Sequence, residues 1–355
     1  MQPGVYRRIE NSAYHSGPGD SKSGLDLVHQ SPAHLRAAQI STEPRKSTAS
    51  QALGSAFHCL VLEPDVFAAT YCLPFLPPEG ALKTVDDMKE ALEAAGVKCP
   101  SKAKKSDYED AVRRNLPDAV LLSDLRAAYD DANDGREELT AEAWEQIHRM
   151  RDAVMAHPAA SKLLSGKGEP ELSCYWMEPV VDPLTGTPVL DEDGKPVEVL
   201  LRCRPDFWRY DGILVDLKST QPEDAEPESF AHSLHKWRYY VQDALYKRGT
   251  AAALAHAGEG FEMFKPTRAF VFVAVENDAC VVEGVAKGVA VYQLQPDSVA
   301  LGEAEMREDV FTLYQCRQAG RFHGYAETIQ PIELPPYAFT KAAARMGIAT
   351  RDANA

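Results

Sequence analysis

Residues 204–220 read RPDFWRYDGILVDLKST, and the reading of the whole chain turns on them. Tyr210-Asp211-Gly212 is a turn signal between two strand-forming runs. Asp206 and Asp216 stand equally far from Asp211. In an antiparallel hairpin folded about that residue they come opposite one another on one face. Lys218, two residues past Asp216, points to the same face. Neighbouring carboxylates repel unless a proton or a metal intervenes. A hard cation resolves the conflict, since Mg²⁺ accepts one or two protein carboxylates, keeps several waters and takes phosphate oxygens as its other ligands. Such a centre suits phosphodiester hydrolysis. As a bare triplet DLK is also what a solvated strand end looks like. Here Leu214, Val215 and Leu217 make its flanks apolar, and a matching aspartate precedes it at hairpin distance.

Around this centre, strand signals occur at Leu172 to Met177, Val197 to Phe207 and Ile213 to Lys218, punctuated by DPLTG, DEDGK and YDG, and predict an antiparallel meander. Upstream the pattern is helical. Paired short helices open the chain, with Ser21 or Ser23 as one cap and Ser31-Pro32 as the next start. A helix over Ser47 to Val61 carries Leu53, Phe57, Leu60 and Val61 on one face and His58 within it. Leu121 to Leu164 reads as helical throughout. Downstream, a long helix over Glu228 to Arg248 precedes strands at Arg268 to Val275, Cys280 to Val285 and Val289 to Leu294. A last helix is expected from Ser298 to Ala319. This order predicts an α/β (α+β) chain with a mixed central sheet flanked by helices.

Residues 82–116 stand apart. Lys83 to Arg114 reads as helix, extended turn and helix, with Thr84 as N-cap, Gly96 as stop and Lys98, Lys102, Lys104 and Lys105 as a basic cluster. Two readings stay open: a SAP-like DNA-binding module, or a solvated helical hairpin. The expected organisation is an N-terminal helical part over 1–81, this insert over 82–116, a core over 117–340 and a tail over 341–355.

The composition of 355 residues is that of a globular protein, with no apolar run long enough to span a bilayer and no secretory-type apolar segment in MQPGVYRRIENSAYH. A cytoplasmic protein without a membrane partner is expected. Seven singly placed cysteines, with no CxxC pair, suggest neither a disulfide framework, a zinc knuckle nor an iron-sulfur cluster. A net charge of -15 opposes encounter with nucleic acid, unless carboxylates are concentrated where cations reverse the local field.

Pro205-Asp206 followed by Asp216-Leu217-Lys218 resembles the PD-(D/E)xK nuclease signature of a restriction-endonuclease-like core. Gln242 and Tyr246 resemble the QxxxY helix of its RecB-like branch, and Gly54 with His58 the GxxxH helix. SKSGLDLVHQSPAHLRA, GSAFHCLVLEP, ELSCYW and GRFHGY…ELPPYA together resemble the RecE-like (exodeoxyribonuclease VIII) family, over most of the chain except roughly 82–116. That resemblance implies a Mg²⁺-dependent 5′-to-3′ exonuclease on double-stranded DNA ends, with Mn²⁺ able to substitute. It also implies a ring-like homo-oligomer working beside a single-strand annealing protein in phage-type recombination, in a bacterial host or phage-infected cell.

By the same resemblance, Asp206, Asp216, His58 and the Leu217 carbonyl ligate metal, and Lys218 positions or helps deprotonate the attacking water. Glu171 serves a second metal or orients water, although an insertion holding DPLTGTPVLDEDGK separates it from Asp206. Gln242 and Tyr246, on one helix face, contact the DNA backbone or buttress Lys218. Arg204 and Lys247, with Arg202, Lys236, Arg238 and Arg248, are candidates for phosphate contact, and Trp237, Tyr239 and Tyr240 for stacking. The alternatives are a structure-selective endonuclease on the same fold and a non-catalytic DNA-binding recombination scaffold. For an unrelated sugar-nucleotide enzyme, no GxGxxG or GxxxxGK loop is present.

Overall fold

The computed structural model describes residues 1–41, 48–99, 103–335 and 345. Ser47, Lys102 and all of the 341–355 tail except residue 345 lie outside them. The described residues of Met1–Lys22, Glu43–Glu178 and Glu198–Met306 form one compact unit, and those of Ser23–Thr42, Pro179–Val197 and Arg307–Ala355 a second.

The chain begins with β1 (Gly4–Tyr6), α1 (Asn11–Ser16), α2 (Lys22–Gln30) and α3 (Pro32–Ile40). Pro32 sits in the first turn of α3, where its missing N–H costs nothing. Then come α4 (Ala49–Leu62), α5 (Pro64–Thr70) and β2 (Tyr71–Cys72). Thr48 and Gln51 close a capping box on α4. The segment α6 (Val85–Ala94) and α7 (Lys105–Asn115) has a small apolar cluster of its own around Met88, Leu92, Tyr108 and Val112, with Thr84 capping α6 and Gly96 left-handed after it.

Leu121 to Leu164 is not helical throughout. It divides into α8 (Leu122–Ala132), β3 (Glu137–Glu138), α9 (Ala141–Ala156) and α10 (Pro158–Leu164). Asn133 ends α8, Gly135 turns the chain with a φ of 75°, and Pro158 restarts it as α10.

The strands are β4 (Gly168–Pro170), β5 (Ser173–Pro179), β6 (Glu198–Cys203), β7 (Phe207–Arg209) and β8 (Ile213–Thr220). After α11 (Pro227–Lys236) and α12 (Tyr239–Leu254) come β9 (Ala269–Val282), β10 (Val285–Tyr292) and α13 (Pro296–Ala319). The expected single meander is in fact shared between two sheets: β1-β5-β6, and a five-stranded sheet β10-β9-β8-β7-β4. The latter is mixed, with β8 parallel to β9 and the β10–β9, β8–β7 and β7–β4 pairs antiparallel. Two further expectations are corrected. The strands predicted at 268–275 and 280–285 are one continuous β9, paired with β10 across a Glu283-Gly284 turn. The long helix over Glu228 to Arg248 breaks at Trp237-Arg238 into α11 and α12.

One face of the five-stranded sheet carries the main core. Phe57 and Leu60 of α4 and Ile147, Met150 and Val154 of α9 pack on Val215, Leu217, Val273 and Val275. Strand alternation then sends Asp216 and Lys218 to the opposite face. There α12, which also lies against β1 and β6, brings Gln242 onto Asp216. In the second unit, the Pro179–Val197 segment folds on itself through Val180–Val197 and Val189–Val180 backbone bonds. No helix among the described residues is long and apolar enough to cross a membrane.

Candidate active site

The β7–β8 register pairs Phe207 with Val215 and Trp208 with Leu214, so the hairpin is centred on Asp211 and the next pair outward is Asp206 with Asp216. Gly212 takes a φ of 85° there, where an L side chain would be strained. Asp206 lies just before β7, and its Oδ2 accepts a 2.7 Å hydrogen bond from the Leu217 amide, which fixes it beside β8. Asp216 is 1% exposed. Its Oδ1 accepts from Gln242 Nε2 at 2.5 Å. Its Oδ2 forms an ion pair with the Lys218 ammonium at 2.5 Å. His58 reaches in from α4, with Nδ1 3.5 Å from Asp206 Oδ2.

Gly54 lets α4 come this close, because a Cβ there would lie 3.1 Å from Ser219 Oγ at the end of β8. The GxxxH spacing thus puts a contact glycine and the histidine one turn apart on the helix.

Glu171 is brought to the same place despite the insertion. It follows β4 with a left-handed φ of 52°, and its amide donates to the Asp206 carbonyl at 3.2 Å. A non-glycine residue held in that region is backbone strain of the kind that gathers at functional sites. Its carboxylate lies 4.0 Å from Arg204.

The electrostatics follow from carboxylates gathered out of water. Burial and then Asp206 push Glu171 up to about 8. Burial likewise raises Asp216 to about 6, with Asp206 adding to it and Lys218 opposing. Asp206 is raised by burial against Lys218 and the Leu217 amide. Burial works against the Lys218 ammonium, but Asp216, Asp206 and the Tyr239 ring outweigh it and hold the lysine protonated above its usual value. His58 is lowered to about 4 by burial and by Lys218, so its imidazole is neutral at neutral pH.

The donor set is therefore two carboxylates and a neutral imidazole, with a third carboxylate adjoining, which fits a hard divalent cation. Among the described residues no three or more His, Cys, Asp or Glu side chains are grouped so that they alone could hold a metal ion. Mg²⁺ does not require such a group, since waters and substrate phosphate complete its shell. The Leu217 backbone is at the site: its amide holds Asp206, and it also hydrogen-bonds His58.

Other expected site residues are placed differently. Gln242 supports Asp216 and is buried, so it is turned away from solvent DNA. Tyr246 packs edge-on against Phe270, and burial lifts its phenol well above the usual range, with Asp216 and Asp206 among the lesser causes. Arg204 adjoins Glu171, but its donors are taken up by Ser173, Asn11 and Ile9 and its guanidinium stacks 3.9 Å from the Tyr14 ring centre, which makes it an anchor rather than a phosphate contact. Lys247 pairs with buried Asp243 at 2.5 Å and lines a cavity with Gln293, Gln295 and Glu303.

Two participants escaped sequence reasoning. Glu63, at the junction of α4 and α5, adds its charge to Glu171, and Glu305 of α13 holds Arg238. Neither sits in a motif or at a characteristic spacing.

Residues 192–335 match the family model described as a PDDEXK-like domain of unknown function (DUF3799). The core is PD-(D/E)xK-like. The match covers under half of the chain and includes Asp206, Asp216, Lys218, Gln242 and Tyr246. It reaches the superfamily and not the RecE-like family. A solved structure from Eubacterium rectale, provisionally named an exonuclease, aligns over 97% of this chain and 99% of its own at 10% identity and a TM-score of 0.42. No curated protein matches the chain.

The raised Glu171 has a stability consequence. Below its ordinary value of 4.5 the carboxyl is protonated both folded and unfolded. As pH rises from there toward about 8, the unfolded chain releases the proton and the folded chain keeps it, so stability falls across this window. Glu171→Gln is expected to raise the Tm of the cation-free chain by several degrees at pH 8 and to leave it unchanged at pH 4. Thermal unfolding at the two pH values checks this, and identical melting of both proteins at pH 8 would refute the assignment.

Proposed function

We propose that this chain is a divalent-metal-dependent DNA nuclease which degrades one strand of a linear duplex from its 5′ end, leaving single strands for recombination by annealing. The observation that carries the nuclease reading is the Asp206–Asp216–Lys218 cluster, in which two carboxylates and a protonated lysine converge at one edge of the hairpin and Gln242 fixes the inner carboxylate. Asp206, Asp216 and His58 are the residues that would hold Mg²⁺, or Mn²⁺ in its place. A bound cation supplies Lewis acidity toward the phosphate and lowers the pKa of water.

The chain's own residues do the rest. Lys218, kept protonated, donates toward phosphate oxygens and stabilises the charge that builds up as the bond breaks. That state suits positioning and charge stabilisation better than deprotonation of water. Gln242 locks the Asp216 rotamer, and the Leu217 amide locks Asp206, so both carboxylates face one point without reorganising. Glu171, protonated near neutral pH in the cation-free chain, is placed to orient water or to take a second cation.

The polarity, the ring-like oligomer and the annealing partner rest on the RecE-like resemblance. Linear duplex labelled separately at the 5′ and 3′ ends, with a closed circle as control, tests the polarity. Early Mg²⁺-dependent release of the 5′ label with the circle intact is expected. Cutting of the circle would make the chain an endonuclease on the same core.

A further inference from the structure

The break between α11 and α12 contains neither glycine nor proline, yet Arg238 adopts the left-handed region at φ 51°. An L side chain enters that region reluctantly, so the surroundings must impose it. Glu305 does so from α13, accepting from Arg238 Nε at 3.1 Å and Nη2 at 3.0 Å and from the Tyr240 hydroxyl at 2.9 Å. On the other side, Lys22 Nζ donates to the Trp237 carbonyl at 2.5 Å.

The break sorts the three aromatic residues around Arg238. Tyr240 turns inward onto Glu305, and Tyr239 places its ring 4.6 Å from the Lys218 ammonium. Trp237 is left 53% exposed, whereas Trp176 and Trp208 are 1% and 0% exposed. The exposed indole thus stands on a strained backbone that is anchored from both sides. Two lysines lie beside these rings: Lys236 is 4.9 Å from the Trp237 ring and Lys22 is 5.6 Å from the Tyr239 ring. Two lysines beside the Trp237 and Tyr239 rings, with the Tyr239 ring also against Lys218 of the carboxylate centre, make the combination of cations and aromatics that receives single-stranded nucleic acid.

We propose that Trp237 is a stacking platform for the unpaired nucleobase adjoining the phosphate that enters the Asp206–Asp216–Lys218 centre, with Lys236 facing the flanking phosphate. This rests on the nuclease reading above and adds the part of the substrate that is recognised. Every base has a π-face, so the platform is indifferent to sequence and sensitive to the presence of a base.

The test uses the full chain, as wild type, Trp237→Ala and Trp237→Phe, on duplexes whose terminal nucleotides are either normal or abasic. Binding is read separately by fluorescence anisotropy of a labelled oligonucleotide without divalent cation. On normal DNA, Trp237→Ala is expected to weaken binding and raise KM by about 5- to 150-fold, with Trp237→Phe recovering most of it. On abasic DNA wild type and Trp237→Ala should behave alike. Equal losses on normal and abasic DNA, or no loss on either, would overturn the platform. A wild type that binds normal DNA better than abasic DNA but cleaves neither would keep the platform and overturn the nuclease reading.

Discussion

Lys218→Ala is expected to slow phosphodiester cleavage by roughly 10²- to 10³-fold, and to lower the stability of the cation-free chain because the buried Asp216 carboxylate loses its ion pair. The lysine lies on the site side of β8, 16% exposed, 2.5 Å from Asp216 and under the Tyr239 ring at 4.6 Å. It contributes little to the core, which lies on the other face through Val215 and Leu217. What alanine removes is a fixed positive charge where phosphate charge develops, so the loss should appear in kcat and not in KM. Lys218→Arg is not expected to rescue, because a planar guanidinium cannot occupy the space of a compact ammonium between Asp216 and Tyr239. Single-turnover cleavage with saturating enzyme measures the step directly. An alanine variant cleaving at the wild-type rate would remove Lys218 from the chemistry.

Arg248→Met is expected to give a large loss of stability, about 3–5 kcal/mol in the limit of full burial and nearer the lower figure here because water reaches the guanidinium. Glu178 is 2% exposed, and its two oxygens are held by Arg248 Nε at 2.5 Å and Trp176 Nε1 at 2.8 Å. Methionine keeps much of the arginine's apolar stem but strands the buried carboxylate. The site is sensitive to this because α12, which carries Gln242, docks here: a Cβ on Gly249 would lie 2.5 Å from the Trp176 ring. Adding Glu178→Gln to Arg248→Met should recover part of the loss, since the uncompensated charge is the main cost. Urea unfolding of the single and double variants reads both effects. A single variant as stable as wild type would show that water already solvates Glu178.

The hairpin centred on Asp211 was legible in the sequence because its information is local: a turn signal at Tyr210-Asp211-Gly212, apolar flanks and acids at equal offsets. The cap at Thr84 was legible for the same reason. Alternation identifies strands but not their partners. Thus β5 and β6 were read into one meander with β7 and β8, although they belong with β1. The break at Arg238 was invisible because no helix breaker marks it. It exists because Glu305, 67 residues away, holds the turn. Glu171 was located by its place beside the strand LSCYW, but its left-handed backbone and its hydrogen bond to Asp206 are tertiary facts. For Arg204 the sequence left DNA contact and support open, because a basic residue beside a motif looks the same in either case, and only the fold shows its guanidinium on Tyr14 and the Ile9 carbonyl.

The most direct test of the central claim is release of acid-soluble nucleotide from uniformly labelled linear duplex by the wild-type chain and by Asp216→Asn, each with Mg²⁺ or with EDTA. The account predicts release by the wild type with Mg²⁺, none with EDTA, and none by Asp216→Asn under either condition although the variant folds and binds DNA. Release by Asp216→Asn at the wild-type rate would contradict it, as would release by the wild type in EDTA.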